Sequence, residues 1–261
     1  MSSYPPGNYP PTDPQPWSEP PRPQPVQASF QHETPTVVYV IMGLTVIVYL
    51  LQMLTQAVMG GVDLPAVYGM KVNELIQQGQ VWRLFTPMLL HGSLLHIGFN
   101  MYALYALGPG LESYYGHSRF LVLYLLSGFA GNVLSFLFSP ANSLGSSTAI
   151  FGLLGAQAVF LYQNKALFGA RAQRALMNVA MVAVVNLIIG LSSSGIDNMG
   201  HLGGLAGGVL FSWFAGPRLS VQGLAPYYSL VDERQKSNVF GSAVLVAGLF
   251  AALALAEILF N

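Results

Sequence analysis

Two short stretches of this chain combine glycine with residue types that can act as a nucleophile and a base. They read GSSTAIFG over residues 145–152 and GHLGGLAGG over residues 200–208. A serine hydroxyl becomes an effective nucleophile when a neighbouring imidazole accepts its proton, so a serine of the first stretch and His201 form a candidate pair. Both stretches lie in apolar surroundings, where ionisable side chains are rare and usually serve a function.

The composition indicates that most of the chain lies in a membrane. Hydrophobic residues make up 53% of it and charged residues 8%, whereas soluble domains carry about 25% charged residues. The formal net charge is zero, and the sequence contains no cysteine, which excludes thiol catalysis and Cys-ligated zinc. No HExxH motif is present for metalloprotease chemistry. We expect a lipid bilayer as a partner, and no cofactor, no metal and no nucleic acid.

The chain divides into a tail, a helical core, a linker and a final helix. Residues 1–35 are rich in Pro, Gln and Ser, which predicts a disordered cytoplasmic tail. Seven later runs approach the roughly 20 apolar residues that a spanning helix needs, and none has the alternation of a strand. They predict an all-α polytopic membrane protein with a core over 36–217, a cytoplasmic linker over 218–237 and an extra helix over 238–261. The runs are 36–58, 94–112, 119–138, 147–164, 174–191, 198–216 and 238–260.

The lysines and arginines predict the orientation of these helices. If the N-terminus is cytoplasmic, eight of the ten basic residues lie on the cytoplasmic side and only Lys71 and Arg83 lie outside. This predicts a multi-pass protein with its C-terminus outside, and the compact loops favour a bacterial plasma membrane. We expect the outer connection over 59–93 to lie in the membrane interface, anchored by its aromatic and basic residues.

This topology brings the candidate nucleophile and base to the same depth. Ser147 lies eighteen residues before Lys165, and His201 lies seventeen residues before Arg218. These spacings correspond to about 27 and 26 Å of helix, against a hydrocarbon core of about 30 Å. Both residues are therefore expected a few ångströms below the outer surface.

Glycine spacing predicts how closely the fourth and sixth helices pack. The sixth helix has glycines at 200, 204 and 208 and again at 203 and 207, which form two ridges of small residues. Gly152 and Gly155 offer a matching side on the fourth helix. Ordinary membrane packing also explains such ridges. A lone Ser147 would most often bond to its own helix, and a lone His201 would bridge helices about as often as it would catalyse.

Four blocks of residues resemble the rhomboid family of intramembrane serine proteases over roughly residues 36–217. One GxS motif is a weak signal, but four blocks in order with the right spacing are specific. The resemblance implies a rhomboid-like six-helix core with a seventh, C-terminal transmembrane helix. The blocks are Trp82-Arg83, His91-x4-His96-x3-Asn100, Gly145-x-Ser147 followed by Ala149-Ile150-Phe151-Gly152, and Gly200-His201-x-x-Gly204.

The resemblance also implies catalytic roles for the matching residues. Ser147 matches the family nucleophile, and His201 matches the general base. His96 and Asn100 match the side-chain donors to the oxyanion, together with the backbone N–H of Ser147. Phe151 matches an aromatic residue that packs against the catalytic imidazole.

Other matching residues are expected to support the site. Gly145 serves the tight entrance to the fourth helix, and His91 is better explained as a cap or interface residue than as a catalyst. Trp82 and Arg83 match a structural motif of the first loop, and Glu112 matches a structural acid.

Two positions depart from the family pattern. Thr148 stands where the family often has glycine, and Ser146 stands where alanine is common. We expect the larger residue at 148 to narrow the substrate cleft without removing a catalytic group. No acid is evident to orient His201, because Asp197 lies at the surface end of its helix, so a dyad is expected.

These roles predict an intramembrane serine endopeptidase that cuts single-span membrane proteins near the outer face. The substrate helix would arrive laterally from lipid and unwind, which favours weak helix formers near the cut. The alternative is a rhomboid-like pseudoprotease that binds client transmembrane helices without cleavage. Such proteins usually lack the serine or the histidine, and this chain has both. A transporter is a weaker alternative. It would need a polar path through both leaflets, whereas the polar residues of this chain cluster at the outer end.

Overall fold

The computed structural model describes residues 28–29, 34–193, 195–224 and 227–260. Long helices lie at or near all seven predicted runs, separated by short helical turns. Within the described ranges the helices are α1 (Thr36–Val58), α2 (Leu64–Gly69), α3 (Asn73–Gln77), α4 (Leu94–Tyr115), α5 (His117–Phe138), α6 (Ser147–Gln163), α7 (Lys165–Phe168), α8 (Ala170–Leu191), α9 (Asn198–Ala215) and α10 (Lys236–Phe260).

Four of these helices are long and apolar enough to cross a bilayer by length and composition, namely α1, α5, α8 and α10. Helix α6 is a shorter apolar helix of 17 residues. Large apolar side chains on α1 and α8 are exposed, as expected of surfaces that face lipid. The chain is thus an all-α polytopic membrane protein, as its sequence predicts.

Helix ends follow local capping chemistry. Helix α4 begins after Ser93, whose hydroxyl accepts a hydrogen bond from His96 N at 3.2 Å. It continues to Tyr115, three residues beyond the predicted end, and stops at Gly116, whose φ of +74° suits glycine. Glu112 lies inside the helix rather than at its end. Its buried carboxylate accepts hydrogen bonds from Val37 N and Val38 N, both at 2.8 Å.

Helices α5, α6 and α9 form the centre of the fold and meet through their glycines. A Cβ added at Gly204 would lie 1.9 Å from Thr148 O, and one at Gly208 would lie 2.1 Å from Gly152 O. The second ridge faces α5, where a Cβ at Gly203 would lie 2.7 Å from Ala130 O. The predicted glycine contact between the fourth and sixth long helices is therefore confirmed.

A small sheet that we did not expect lies between α9 and α10. It contains β1 (Ala28–Ser29), β2 (Leu219–Leu224) and β3 (Tyr227–Asp232) in the order β1-β3-β2. Strands β2 and β3 are antiparallel, and β1 pairs with β3 in parallel. The predicted linker over 218–237 thus contains a hairpin. Most of the tail predicted over 1–35 lies outside the described residues.

The hairpin is tied to the helices by a partly buried polar network. Arg119 Nη1 lies 2.9 Å from Asp232 Oδ2, and the same nitrogen donates to Ala215 O at 3.1 Å. Asn164 Nδ2 donates to Pro217 O at 3.0 Å, and its Oδ1 accepts from Leu219 N at 2.7 Å. The ends of α5, α6 and α9 are therefore joined at one face.

The outer connection does not use its basic residues as interface anchors, so that expectation is wrong. Arg83 is buried, and its guanidinium donates to Met70 O at 2.7 Å and Val67 O at 2.8 Å. Lys71 is fully buried as well. Both cations donate hydrogen bonds to backbone carbonyls of a folded loop, so they lie inside the protein rather than at the membrane interface. Trp82 is half exposed, and its Nε1 donates to Tyr68 O at 3.0 Å.

Candidate active site

The candidate nucleophile and base meet where α6 and α9 begin. His201 Nε2 lies 2.9 Å from Ser147 Oγ, within hydrogen-bond reach. Ser147 is the first residue of α6, so its backbone N–H has no partner inside the helix and lies at the positive end of the helix dipole. This arrangement pairs a hydroxyl with an imidazole beside a free backbone donor.

The ring of His201 is held by packing. Phe151 stacks on it with ring centroids 4.1 Å apart and an interplanar angle of 9°. His201 Nδ1 is buried, with no hydrogen-bond partner among the described residues. Asp197 is used elsewhere, since its carboxylate accepts from Gly200 N at 2.9 Å and from Ser135 Oγ. The described residues thus place two groups together, and no acid lies behind the imidazole.

His96 lies beside the start of α6 because Gly145 leaves room for it. A Cβ added at Gly145 would lie 2.8 Å from both His96 Cε1 and His96 Nε2, and the φ of Gly145 is +132°, a value that favours glycine. Gly92 N donates to His96 Nδ1 at 3.5 Å. The neutral ring therefore carries its proton on Nε2, the nitrogen that faces Gly145.

Asn100 lies one turn further along α4. Its Nδ2 donates to His96 O at 3.1 Å, and both side chains line the same cavity as Ser147 and His201. All four residues that the family resemblance implies for catalysis therefore face one space.

His91 and Ser146 occupy a buried layer next to this space. His91 Nε2 lies 3.4 Å from Ser146 Oγ, and the ring of His91 packs edge-on against His96 with centroids 5.0 Å apart. Gln52 Oε1 accepts from His91 N at 3.0 Å. Burial, with a smaller effect of the neighbouring His96, lowers the pKa of the His91 imidazole to about 3, so His91 is neutral near pH 7. His91 lies outside the cavity lining.

Thr148 does not narrow the cleft, contrary to our expectation. Its side chain is buried against α5 and α9, where a Cβ added at Gly131 would lie 2.6 Å from Thr148 Cβ and one at Gly200 would lie 3.0 Å from Thr148 Cγ2. Thr148 is not among the residues that line the cavity. Successive residues of a helix diverge by about 100°, which turns Thr148 into the protein when Ser147 faces the cavity.

The cavity itself has a volume of about 1160 Å³, larger than the roughly 300–1,000 Å³ typical of small-molecule sites. Its walls come from α4, α6, α8 and the segment 139–144. On the lipid side, α4 and α8 contribute Phe99, Tyr102, Val182 and Ile189. The space can thus hold a peptide segment next to Ser147.

Sequence reasoning missed a lysine that holds one wall of this cavity. Lys71 Nζ donates to Ser139 O at 2.7 Å and Ala141 O at 2.9 Å, and its backbone pairs with Ser143. Asn73 Nδ2 adds a bond to Ser139 O at 3.1 Å. Burial lowers the pKa of the Lys71 ammonium to about 8. The available signal was the single lysine of the outer connection over 59–93, which we assigned to the interface.

Comparison with known proteins defines the family. The model of the Rhomboid domain matches residues 78–218, more than half of the chain. The chain belongs to the rhomboid family. The matched range begins before the Trp82-Arg83 block and ends just after α9, so it contains every residue of the candidate site.

Several rhomboid relatives are similar over long stretches. The chain is 37% identical to "Rhomboid protease GluP" of Bacillus subtilis (strain 168) over 227 residues, which cover 87% of this chain and 41% of that protein. It is 34% identical to "RHOMBOID-like protein 9, chloroplastic" of Arabidopsis thaliana over 62% of this chain and 38% of that protein. It is 35% identical to "Putative rhomboid protease YdcA" of Bacillus subtilis over 53% of this chain and 69% of that protein. The chain thus spans about two-fifths of the length of the first two relatives.

Proposed function

We propose that this rhomboid protein is an intramembrane serine endopeptidase that cuts transmembrane segments of membrane proteins near the outer face. The contact of 2.9 Å between His201 Nε2 and Ser147 Oγ, open to a cavity of about 1160 Å³, carries the proposal. A relative named as a protease, similar over 87% of this chain, supports it.

The proposed reaction uses Ser147 as the nucleophile and His201 first as a base and then as an acid. His201 Nε2 takes the proton of Ser147 Oγ as that oxygen attacks the scissile carbonyl, and then gives the proton to the leaving amine. A water molecule, deprotonated by the same nitrogen, releases the acyl group from Ser147. Phe151 keeps the imidazole in the plane that this transfer needs.

The oxyanion is stabilised by donors on two helices. The backbone N–H of Ser147, the first of α6, has no partner inside the helix, and His96 presents a protonated Nε2 beside Gly145. Asn100 lines the same space, and rotation of its amide away from His96 O frees a second side-chain donor. Loss of one oxyanion donor typically costs about 10²- to 10³-fold in rate.

The substrate segment is proposed to come from a single-span protein and to pass between α4 and α8. We place the N-terminus in the cytoplasm and the C-terminus outside, in a bacterial plasma membrane. Residues 36–217 form the proposed protease core, and α10 is an added helix that packs through Ser242, Val246, Phe250 and Ala254.

The test compares two neighbouring serines. Ser147→Ala removes one oxygen and should abolish cleavage of a single-span reporter by the purified protein in liposomes, read by mass spectrometry of the products. Ser146→Ala is the matched control and should retain most of the activity, because Ser146 faces His91 rather than the cavity. Normal cleavage by Ser147→Ala in protease-free material would refute the dyad. Binding of the reporter without cleavage by the unaltered protein would favour the pseudoprotease alternative.

A further inference from the structure

The cavity below Ser147 contains more hydrogen-bonding groups than the proposed reaction uses. Ser147 and Gln157 lie ten residues apart on α6 and both line the cavity, so it reaches about 15 Å inward from the nucleophile. Most of this deeper wall is apolar, as with Ile150 and Leu154. Three amides interrupt it, namely Gln157 on α6 and Asn178 and Asn186 on α8.

These amides differ from those amides of the helices that join one element to another. Asn132 Nδ2 bridges to Leu84 O at 3.0 Å, and Asn198 Nδ2 bridges from α9 to Leu187 O of α8 at 3.1 Å. Such bridges are the usual reason for a polar side chain in a membrane helix. Asn164 likewise joins α6 to the hairpin. These structural amides therefore connect different elements of the fold.

The three cavity amides connect nothing of that kind. Gln157 Oε1 is buried and has no hydrogen-bond partner among the described residues. Among the residues that the structure describes, Asn186 Nδ2 donates to Val182 O of its own helix, at 2.8 Å, and Asn178 is exposed and lines the cavity. A buried acceptor without a partner destabilises the fold, because it has lost its hydrogen bonds to water. The deep wall thus holds a polar group that the described protein residues do not satisfy.

We propose that Gln157, Asn178 and Asn186 form an elongated subsite for hydrogen-bonding side chains of the substrate's transmembrane segment, inward of the cut. The proposal rests on the proposed proteolytic function. Rotation of the Gln157 amide turns Oε1, which is buried in this structure, into the cavity, where a side-chain amide or hydroxyl of the substrate donates to it. The asparagines of α8 supply further donors and acceptors. The preferred substrate therefore carries Asn, Gln, Ser or Thr in an otherwise apolar segment.

The depth of the amides defines where that side chain must lie. Asn186 and Asn178 are eight residues apart on α8, or about 12 Å along the helix, and Gln157 lies about 15 Å below Ser147. An unwound substrate advances about 3.3 Å per residue and a helical one about 1.5 Å. The polar side chain is therefore expected about four to ten residues from the cut, on the membrane-inward side.

A positional scan of the substrate tests this inference. A single-span reporter with an all-leucine inward half receives one Asn at each position from three to eleven residues beyond the cut, and kcat/KM is measured in liposomes. We expect one favoured position, or two separated by a helical turn, with a gain of about 3- to 20-fold over leucine. Glycine at the same position loosens the helix without donating a side-chain hydrogen bond, so its effect separates helix unwinding from recognition.

Enzyme variants then assign the gain to the amides. The ratio of Asn-reporter to Leu-reporter kcat/KM should fall to about one in Gln157→Leu and in Asn178→Leu. Gln173→Leu is the matched control on α8, because Gln173 is exposed outside this cavity, and it should keep the full ratio. A flat scan, or a ratio that survives in both variants, would overturn the subsite and leave the cavity amides to water or lipid.

A binding measurement separates this inference from the proposed function. Ser147→Ala protein in nanodiscs is titrated with the Asn and Leu transmembrane peptides, and tighter binding of the Asn peptide should depend on Gln157. Preferential binding with no cleavage by the unaltered protein would reject the protease and retain the subsite. Cleavage with equal binding and equal rates for both peptides would do the reverse.

Discussion

The substitution Gly208→Ala offers a quantitative test of how the fold positions the dyad. A Cβ at position 208 would lie 2.1 Å from Gly152 O and 2.6 Å from Gly152 Cα, which is 1.3 Å short of an ordinary 3.4 Å contact with the oxygen. Both atoms belong to the backbone of α6, so no side chain can move aside. Helices α6 and α9 must therefore separate or tilt by about 1 Å.

That displacement acts on the reacting atoms. The hydrogen bond from Ser147 Oγ to His201 Nε2 is 2.9 Å long, and a separation of about 1 Å stretches it to roughly 4 Å, beyond hydrogen-bond range. A misplacement of about 1 Å can cost about 10²-fold in rate. Overpacking also destabilises a protein by about 1–3 kcal/mol. We expect cleavage to fall about 100-fold, with a lower but still cooperative melting transition.

The assay measures initial cleavage rates in liposomes, at a temperature where each variant is folded by its melting curve. Gly110→Ala on α4 is the matched control, since a Cβ there would have no atom within 4 Å, and its rate should stay within about twofold. Wild-type cleavage by Gly208→Ala would refute the reasoning that backbone contact between α6 and α9 positions the dyad.

Two further predictions concern the outer loop and the orientation. Lys71 has a folded-state pKa of about 8 against an ordinary value of 10.5, so the unfolded chain binds more protons in that window and wild type should gain stability from pH 8 to 10.5 relative to Lys71→Met. Parallel melting-temperature profiles for the two proteins would contradict it. Because the chain has no cysteine, single cysteines at Gln173 and Ser193 report sidedness. Only the second should react with an impermeant thiol reagent in intact cells, and the reverse pattern would overturn the proposed orientation.

Sequence alone predicted the seven long helices because apolar length is a local property that a bilayer enforces. The ends were predicted less well, as at Glu112, where the predicted run stopped three residues before α4 ends. The side chain is instead buried against the start of α1, where the backbone N–H groups of Val37 and Val38, distant in sequence, donate to it. The hairpin over 219–232 was missed for the same reason, since its strands are short and are stabilised by contacts to α5 and α6.

The site shows the same division between local and tertiary information. Depth counting and the family motif placed Ser147, His201 and His96 near one another in advance, because helical rise converts spacing into depth. Only the fold decided which way each side chain turns: Thr148 packs into the protein, and Lys71 holds a loop rather than the interface. The unpaired oxygen of Gln157 was likewise invisible in the sequence. Whether a polar group is satisfied depends on neighbours that folding brings from other helices, and spacing along one helix does not reveal them.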